Sequence, residues 1–317
     1  MHAIGGYFEL ELSKHRNFFP TSTFNFQSAR AALVALLNIS TSPRIWLPHF
    51  ICDSMLAAAK ECQIEVCFYS IDTQFGIDIN LSPAPDDLIL YVNYFGICSQ
   101  QVTNIMNRFN PKKIIIDNSQ AFFSPPSPCL ANIYSPRKFF GVPDGGILIT
   151  NLAIKLPDAV DLGSVARMKH LLTRLDLGPE QGYPYYQEAE ESLCNLQPKR
   201  MSRVTTSLLE SIDYHQARIQ REENFYFLHK ILGSINSLKV PYFSGSPLCY
   251  PLITSKTTLR EKLRERCIYT PTYWTDVLPR VSSDTLEYSI VNQLIPLPCD
   301  QRYTIYDMER IIEAINE

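Results

Sequence analysis

The sequence has no CxxC pair, no HxxxH spacing and no GxxxxGK[ST] segment. Its nine cysteines stand apart, at 52, 62, 67, 98, 129, 194, 249, 267 and 299, and their number is odd. A disulfide framework and a zinc site are therefore disfavoured; no metal is expected, and a reducing, cytoplasmic setting is. The cysteines read instead as small core residues. Without a phosphate-cradling glycine loop, a P-loop enzyme is excluded. No apolar run approaches the roughly 18 residues a membrane span needs. The opening MHAIGGYFELELSKHR carries Glu9 and Glu11 inside its apolar stretch, so it does not read as a secretory signal. Charge of one sign is also missing: 29 Lys and Arg face 32 Asp and Glu, a net charge of -3. That balance excludes a nucleic-acid footprint or a polybasic membrane anchor. The 12 glycines and 22 prolines are spread as turn punctuation, with no low-complexity linker or internal repeat.

What is present is 317 residues, 45% hydrophobic, enough for one large domain or two that share a core. From residue 24 the signals alternate. SARAALVALLN (28–38) has helical spacing behind a Ser28 cap, and CDSMLAAAKEC (52–62) and QQVTNIMNRF (100–109) read as further helices. RIWLP (44–48), EVCFYSI (65–71) and GILIT (146–150) read as strands. DLILYVNYFG (87–96) and KKIIIDNSQ (112–120) are nearly continuous apolar runs, the mark of strands covered on both faces. The pattern predicts an α/β three-layer sandwich around a mainly parallel, doubly wound sheet. Residues 151–200 are polar and Pro/Tyr-rich without clear periodicity. Residues 201–232 form a long amphipathic helical stretch, broken once. Residues 238–317 alternate strand-like and helical pieces, an α+β unit. The expected division is a large cofactor-binding α/β domain (1–200), a connecting helical segment (201–237) and a small C-terminal α+β domain (238–317).

In open α/β sheets, ligands bind outside the carboxyl ends of the strands. Three segments fall there: Asn93-Tyr94-Phe95-Gly96, Asp117-Asn118-Ser119-Gln120, and the turn Ser135-Pro136-Arg137-Lys138. Taken alone, Asp117 also reads as a helix cap, a magnesium ligand or a phosphoacceptor, and Lys138 as a solvated loop lysine. Taken together, an Asp at a strand end, a Lys in a following turn and a Ser three residues before that Lys suit pyridoxal phosphate. The amine forms a Schiff base with the aldehyde. The carboxylate keeps the pyridine nitrogen protonated, so that the ring acts as an electron sink. A hydroxyl and helix N-terminal amides take the phosphate.

IIIDNSQAFF and IYSPRKFFGVPDGGILIT resemble the DegT/DnrJ/EryC1/StrS family, sugar aminotransferases of the type I pyridoxal phosphate fold. That family has an Asp-x-x-Gln/His element, then a turn ending in Lys, then a Gly-Asp/Glu-Gly-Gly segment. Asp117 and Gln120 match the first, Lys138 the second and Asp144-Gly145-Gly146 the third. SARAAL (28–33) is similar to the family's phosphate segment, which points to Ala29 and Arg30. LPHFICD (47–53) is similar to the segment whose aromatic stacks on the cofactor ring, which points to Phe50. VNYFG (92–96), KRMSRVTTSLLESI (199–212) and LIPLPCDQRYTIYDMERIIEAI (294–315) extend the resemblance over most of the chain. There are departures. Ala29-Arg30 stands where the family has Gly-Thr. Ile133 stands five residues before the lysine where a Ser is usual, which shifts the phosphate hydroxyl to Ser135. Pro198 aligns with an Asn that reaches the neighbouring subunit's phosphate.

The resemblance implies pyridoxal 5'-phosphate as cofactor, with Lys138 as its lysine and as general base and acid. Gln120 is expected on the phenolic oxygen. Arg137 is expected to hold a substrate anion, a solvated arginine being the competing reading. Tyr94 and Phe95 are expected as pocket walls, and Tyr183, Tyr185, Tyr186, Tyr273 and Trp274 as lining of a substrate cleft or as packing. The implied reaction moves an amino group from glutamate to a keto group on a nucleotide-linked sugar, in a homodimer. Lys138 argues against the family's dehydratase branch, where histidine replaces it. The rival reading is a scaffold or regulator that keeps the fold without the catalysis.

Overall fold

Seven segments rich in apolar residues build the main sheet of the computed structural model, which describes residues 6–15, 18, 19, 23–194, 197–241, 243, 245–256 and 258–316. They are β1 (Phe24–Phe26), β2 (Arg44–Pro48), β3 (Glu65–Tyr69), β4 (Leu88–Val92), β5 (Ile114–Asp117), β6 (Ala131–Tyr134) and β7 (Gly146–Thr150). Their order is β1-β7-β6-β5-β4-β2-β3. Strands β2 to β6 run parallel to their neighbours, and β7 is antiparallel to both β6 and β1. Every residue of β4 and β5 is buried, as continuous apolar runs require of central strands. The register sets Asp117 beside Val92 on one side and Ile133 on the other. The carboxyl ends of β4, β5 and β6 therefore share one edge, and everything that follows is built on that edge.

Helices α1 (Ala29–Leu37), α2 (Asp53–Glu61) and α3 (Ser99–Arg108) connect the parallel strands. Ser28 caps α1: it is extended, and its hydroxyl accepts from Ala31 N at 3.1 Å. Seven of the nine α1 residues are buried, and the helix packs on β1, β6 and β7. The contact is backbone to backbone. A Cβ added to Gly146 would lie 2.1 Å from the carbonyl carbon and oxygen of Ser28. Gly146→Ala is therefore expected to lift the start of α1 from β7 and to cost about 3 kcal/mol, read as a drop in the denaturant midpoint.

The stretch 151–200, featureless in sequence, holds α4 (Ser164–Leu177) and α5 (Pro179–Ser192), which pack on each other. They meet at Gly178, whose φ of +95° suits glycine. The expected break in 201–232 falls between α6 (Arg203–Glu210) and α7 (Tyr214–Leu232), where Asp213 caps α7 by accepting from Gln216 N at 2.9 Å. The C-terminal part pairs β8 (Tyr250–Ile253) with β9 (Leu294–Leu297) and adds α8 (Leu259–Glu265), α9 (Leu286–Gln293) and α10 (Ile305–Asn316). Buried apolar residues form one connected cluster from Phe26 to Ile315, so the C-terminal part packs on the sheet through a continuous core. A second cluster, with Phe122, Phe139 and Phe140 in it, lies around the turn that carries Lys138.

Candidate active site

Strand β5 ends on Asp117, and the chain turns at once. Ser119 N donates to Asp117 Oδ1 at 2.8 Å, and Asn118 N donates to Ile133 O at 2.7 Å. The carboxylate is almost fully buried. Burial pushes its pKa up; the charge of Lys138 and the hydrogen bonds from Ser119 pull it back. Gln120 is wholly buried, with Oε1 accepting from Phe95 N at 2.9 Å. Its Nε2 has no hydrogen-bond partner. A buried, unpartnered donor thus sits on the loop that carries the buried acid.

Strand β6 ends on Tyr134, and Pro136–Lys138 form a 3-10 turn. Lys138 N donates to Ser135 O at 3.3 Å and Phe140 N to Pro136 O at 2.9 Å. Phe139 and Phe140 anchor the turn in the second apolar cluster. The Phe139 carbonyl accepts from Arg221 Nη2 at 3.2 Å and from Gln301 Nε2 at 2.8 Å. Arg221 is fully buried, and its guanidinium also reaches Pro247 O and lies 4.6 Å above the Phe139 ring. The backbone after Lys138 is therefore fixed from behind, while Lys138 itself is exposed. It faces a cavity of about 760 Å³ that Ser135, Arg137, Tyr186, Tyr273 and Arg302 also line.

The residues expected from sequence fall into two groups. Asp117, Gln120, Ser135, Arg137 and Lys138 lie on the β5–β6 edge, with Ser135, Arg137 and Lys138 on the cavity. Arg137 is ion-paired with Glu190 of α5. Arg30 is anchored elsewhere: Nη1 donates to Leu193 O at 3.0 Å and Nη2 to Ser54 Oγ at 2.6 Å, while its Nε lacks a partner. Ala29 is buried in the first turn of α1, behind Ser28. Tyr94 and Phe95, expected as pocket walls, are fully buried and lie outside the lining of this cavity. Tyr94 commits its hydroxyl to Phe50 O at 2.8 Å, and Phe95, at φ +55°, commits its amide to Gln120. Of the five aromatics expected at a cleft, Tyr186 and Tyr273 line the cavity. Tyr185 lies under Lys169, and Trp274 packs on Phe50.

Phe50 is fully buried, its ring 4.8 Å from that of Trp274 and 5.6 Å from that of Tyr94. Two residues on, Cys52 feels both site charges: burial pushes its thiol up, Lys138 pulls it down and Asp117 pushes it up. Sequence reasoning passed over Cys52. Its place between the end of β2 and the start of α2, on the same strand edge, was the available signal.

Asp144, of the glycine-flanked segment, is wholly buried and ties β7 to α6. It accepts from Ser202 N at 2.8 Å, Ser202 Oγ at 3.0 Å and the Thr205 hydroxyl. Burial nonetheless pushes its pKa up to about 6, from 3.8. A raised acid binds its proton more tightly folded than unfolded, so its contribution is complete below about pH 4 and is lost as pH rises through 6. Asp144→Asn is insensitive to that loss. Its stability relative to the wild type is expected to rise by roughly 3 kcal/mol between pH 4 and pH 7.5, in paired denaturant titrations.

Among the described residues no group of three or more His, Cys, Asp or Glu side chains could hold a metal ion. No described helix is long and apolar enough to cross a membrane.

No family model and no curated protein sequence matches the chain. Solved structures do match. The sugar aminotransferase CalS13 from Micromonospora echinospora is 14% identical with a TM-score of 0.62, over 92% of this chain and 86% of that one. A DegT DnrJ EryC1 StrS aminotransferase from Brucella abortus is 15% identical with a TM-score of 0.64, over 93% and 85%. The PMP form of Spr1654 from Streptococcus pneumoniae is 13% identical with a TM-score of 0.64, over 92% and 86%. The chain has the fold of these proteins.

Proposed function

We propose that this chain is a pyridoxal phosphate-dependent aminotransferase of the DegT/DnrJ/EryC1/StrS family. It takes its amino group from glutamate, delivers it to a keto group on a nucleotide-linked sugar, and works as a cytoplasmic homodimer. The chain divides into a large cofactor-binding portion (1–200), a helical connector (201–237) and a small C-terminal portion (238–317).

One observation carries the reading: a buried carboxylate ends β5, and an exposed amine stands in the turn just past the neighbouring strand β6, on the same edge of the sheet. The donor set fits the cofactor. The unpartnered Gln120 Nε2 is a buried donor, which costs about 1–3 kcal/mol until an acceptor arrives. Asp117 is a buried acid that a ring N–H would satisfy. Lys138 would hold the cofactor through its amine, Asp117 would face the ring nitrogen and Gln120 the phenolic oxygen. Ser135 and the start of α1 at Ala29 and Arg30 would take the phosphate, with Cys52, and Phe50 behind it, on the side of α2. When bound, the cofactor supplies an electron sink that acidifies the C–H bond beside the substrate nitrogen.

The chain's own residues do the rest. Asp117, out of water and bonded by Ser119, keeps its carboxylate fixed where positive charge is held. The Phe95 amide orients Gln120 by binding its other amide atom. Lys138, free at the cavity side of a fixed turn, carries the proton off one carbon and delivers it to another. Tyr186 and Tyr273, on the cavity wall, supply aromatic surface for a planar or sugar group.

With added cofactor the purified protein is expected to turn yellow, glutamate to bleach the colour, and a keto sugar nucleotide to restore it. A protein that takes up no colour contradicts the reading. The alternative, a scaffold or regulator that has kept the fold without the catalysis, draws on one observation: Arg30, where the family has Thr, has its guanidinium engaged by Leu193 and Ser54. Colour that does not respond to any amino donor favours it.

A further inference from the structure

Arg137, next to Lys138 in the turn, is half-buried and lines the same cavity. The carboxylate on its guanidinium comes from Glu190, near the end of α5. At the other end of α5, Glu180 accepts a hydrogen bond from the Tyr269 hydroxyl of the C-terminal part. Helix α5 thus lies along the cavity, with one acidic side chain placed on each rim. The remaining charge on the wall is mostly positive. Arg302 is held by Asp300 at 2.7 Å and Arg310 by Asp307 at 3.7 Å, while Lys138 and Arg174 carry no ion pair among the described residues. Burial disfavours the Arg137 charge, and its neighbours act in both directions, Tyr186 and Asp144 for the cation and Arg167 and Arg30 against it. A cation so placed favours a bound anion, and Glu190 supplies one from a side chain that is 43% exposed.

We propose that the Arg137 guanidinium is the seat for a carboxylate of the substrate, and that Glu190 occupies this seat until the substrate carboxylate displaces it. A guanidinium can take a carboxylate through parallel N–H···O bonds, whereas Glu190 is held through Nη2 alone, so an incoming carboxylate can use more of the fork than Glu190 does. Displacing Glu190 exchanges one ion pair for another, and the exchange lowers the apparent affinity of the seat by what the internal pair is worth. An ion pair with an exposed partner is worth at most about a fivefold change in binding. That the seat serves the amino donor or acceptor rests on the transaminase reading; that it binds carboxylates does not.

The test uses cofactor-free protein and calorimetric titration with glutarate, with inorganic phosphate in a parallel arm. Glu190→Gln is expected to tighten glutarate binding about fivefold and Arg137→Gln to weaken it about tenfold or more. The double variant is expected to show no gain over Arg137→Gln. Glu190→Ala repeats the first measurement should the amide form a new bond to Arg137, and thermal midpoints confirm that each variant is folded. The proposal is overturned if neither Glu190 variant tightens glutarate binding, if the gain survives without Arg137, or if only phosphate binding tightens. Failure here leaves the colour test at Lys138 untouched. A protein that never colours but shows the exchange keeps the seat and loses the transaminase.

Discussion

Lys138→Ala is expected to give a folded, colourless protein whose transamination rate is lower by about ten-thousand-fold. The residue is asked for two things, a covalent hold on the cofactor and the proton transfer, and the second alone is worth up to about 10⁴ in rate. Its side chain is exposed and makes no hydrogen bond among the described residues, so the fold does not depend on it. The thermal midpoint should move by no more than the roughly 0.5 kcal/mol of an ordinary surface change. The turn survives because its supports lie elsewhere: Pro136, the two phenylalanines in the second apolar cluster, and the clasp of Arg221 and Gln301 on the Phe139 carbonyl. Lys138→Arg keeps the charge and removes the nucleophile, and should be as inactive as the alanine variant. Near-normal turnover in either variant would refute the role.

Asp117→Asn is expected to separate activity from stability. Activity should fall by about 10² to 10³, because a neutral amide cannot stabilise positive charge on a ring nitrogen. Stability should hold or rise. Burial raises the Asp117 pKa, so the folded state favours the protonated form, and that preference is lost as pH rises through the folded value. Asparagine keeps an oxygen for Ser119 N and carries no charge to desolvate. Denaturant midpoints and turnover are measured on the same preparations. A variant that unfolds easily and turns over normally when folded would mark Asp117 as structural.

Much of the sheet was legible because its central strands are bulk hydrophobic. LILYV and IIID have no polar face, which marks a strand buried on both sides. Strands β1 and β6 escaped notice because FNF and ANIY are too short to show a period, and β6 is half polar. Helices α4 and α5 escaped because α4 leaves Val165, Leu172 and Leu175 exposed, which erases the apolar stripe. The Gly178-Pro179 junction between them was readable as a stop followed by a start.

Asp117, Gln120 and Lys138 are proposed from their positions at strand ends, a signal local in sequence. Tyr94 and Phe95 follow the same rule and are buried, since a strand-end residue can turn inward as readily as outward. Glu190 and Arg221 were missed because each meets the Lys138 turn only from a part of the chain remote in sequence, whereas Cys52 carries the strand-end signal itself. Arg221 reaches Phe139 across 82 residues, and no local pattern encodes that contact.

The most direct measurement is borohydride reduction of the protein with added pyridoxal phosphate, followed by peptide mass mapping. The account predicts a single phosphopyridoxyl adduct, on the peptide that carries Lys138, and a much weaker one in Asp117→Asn. Adducts scattered over surface lysines, or a Lys138 peptide that stays unmodified, would contradict it.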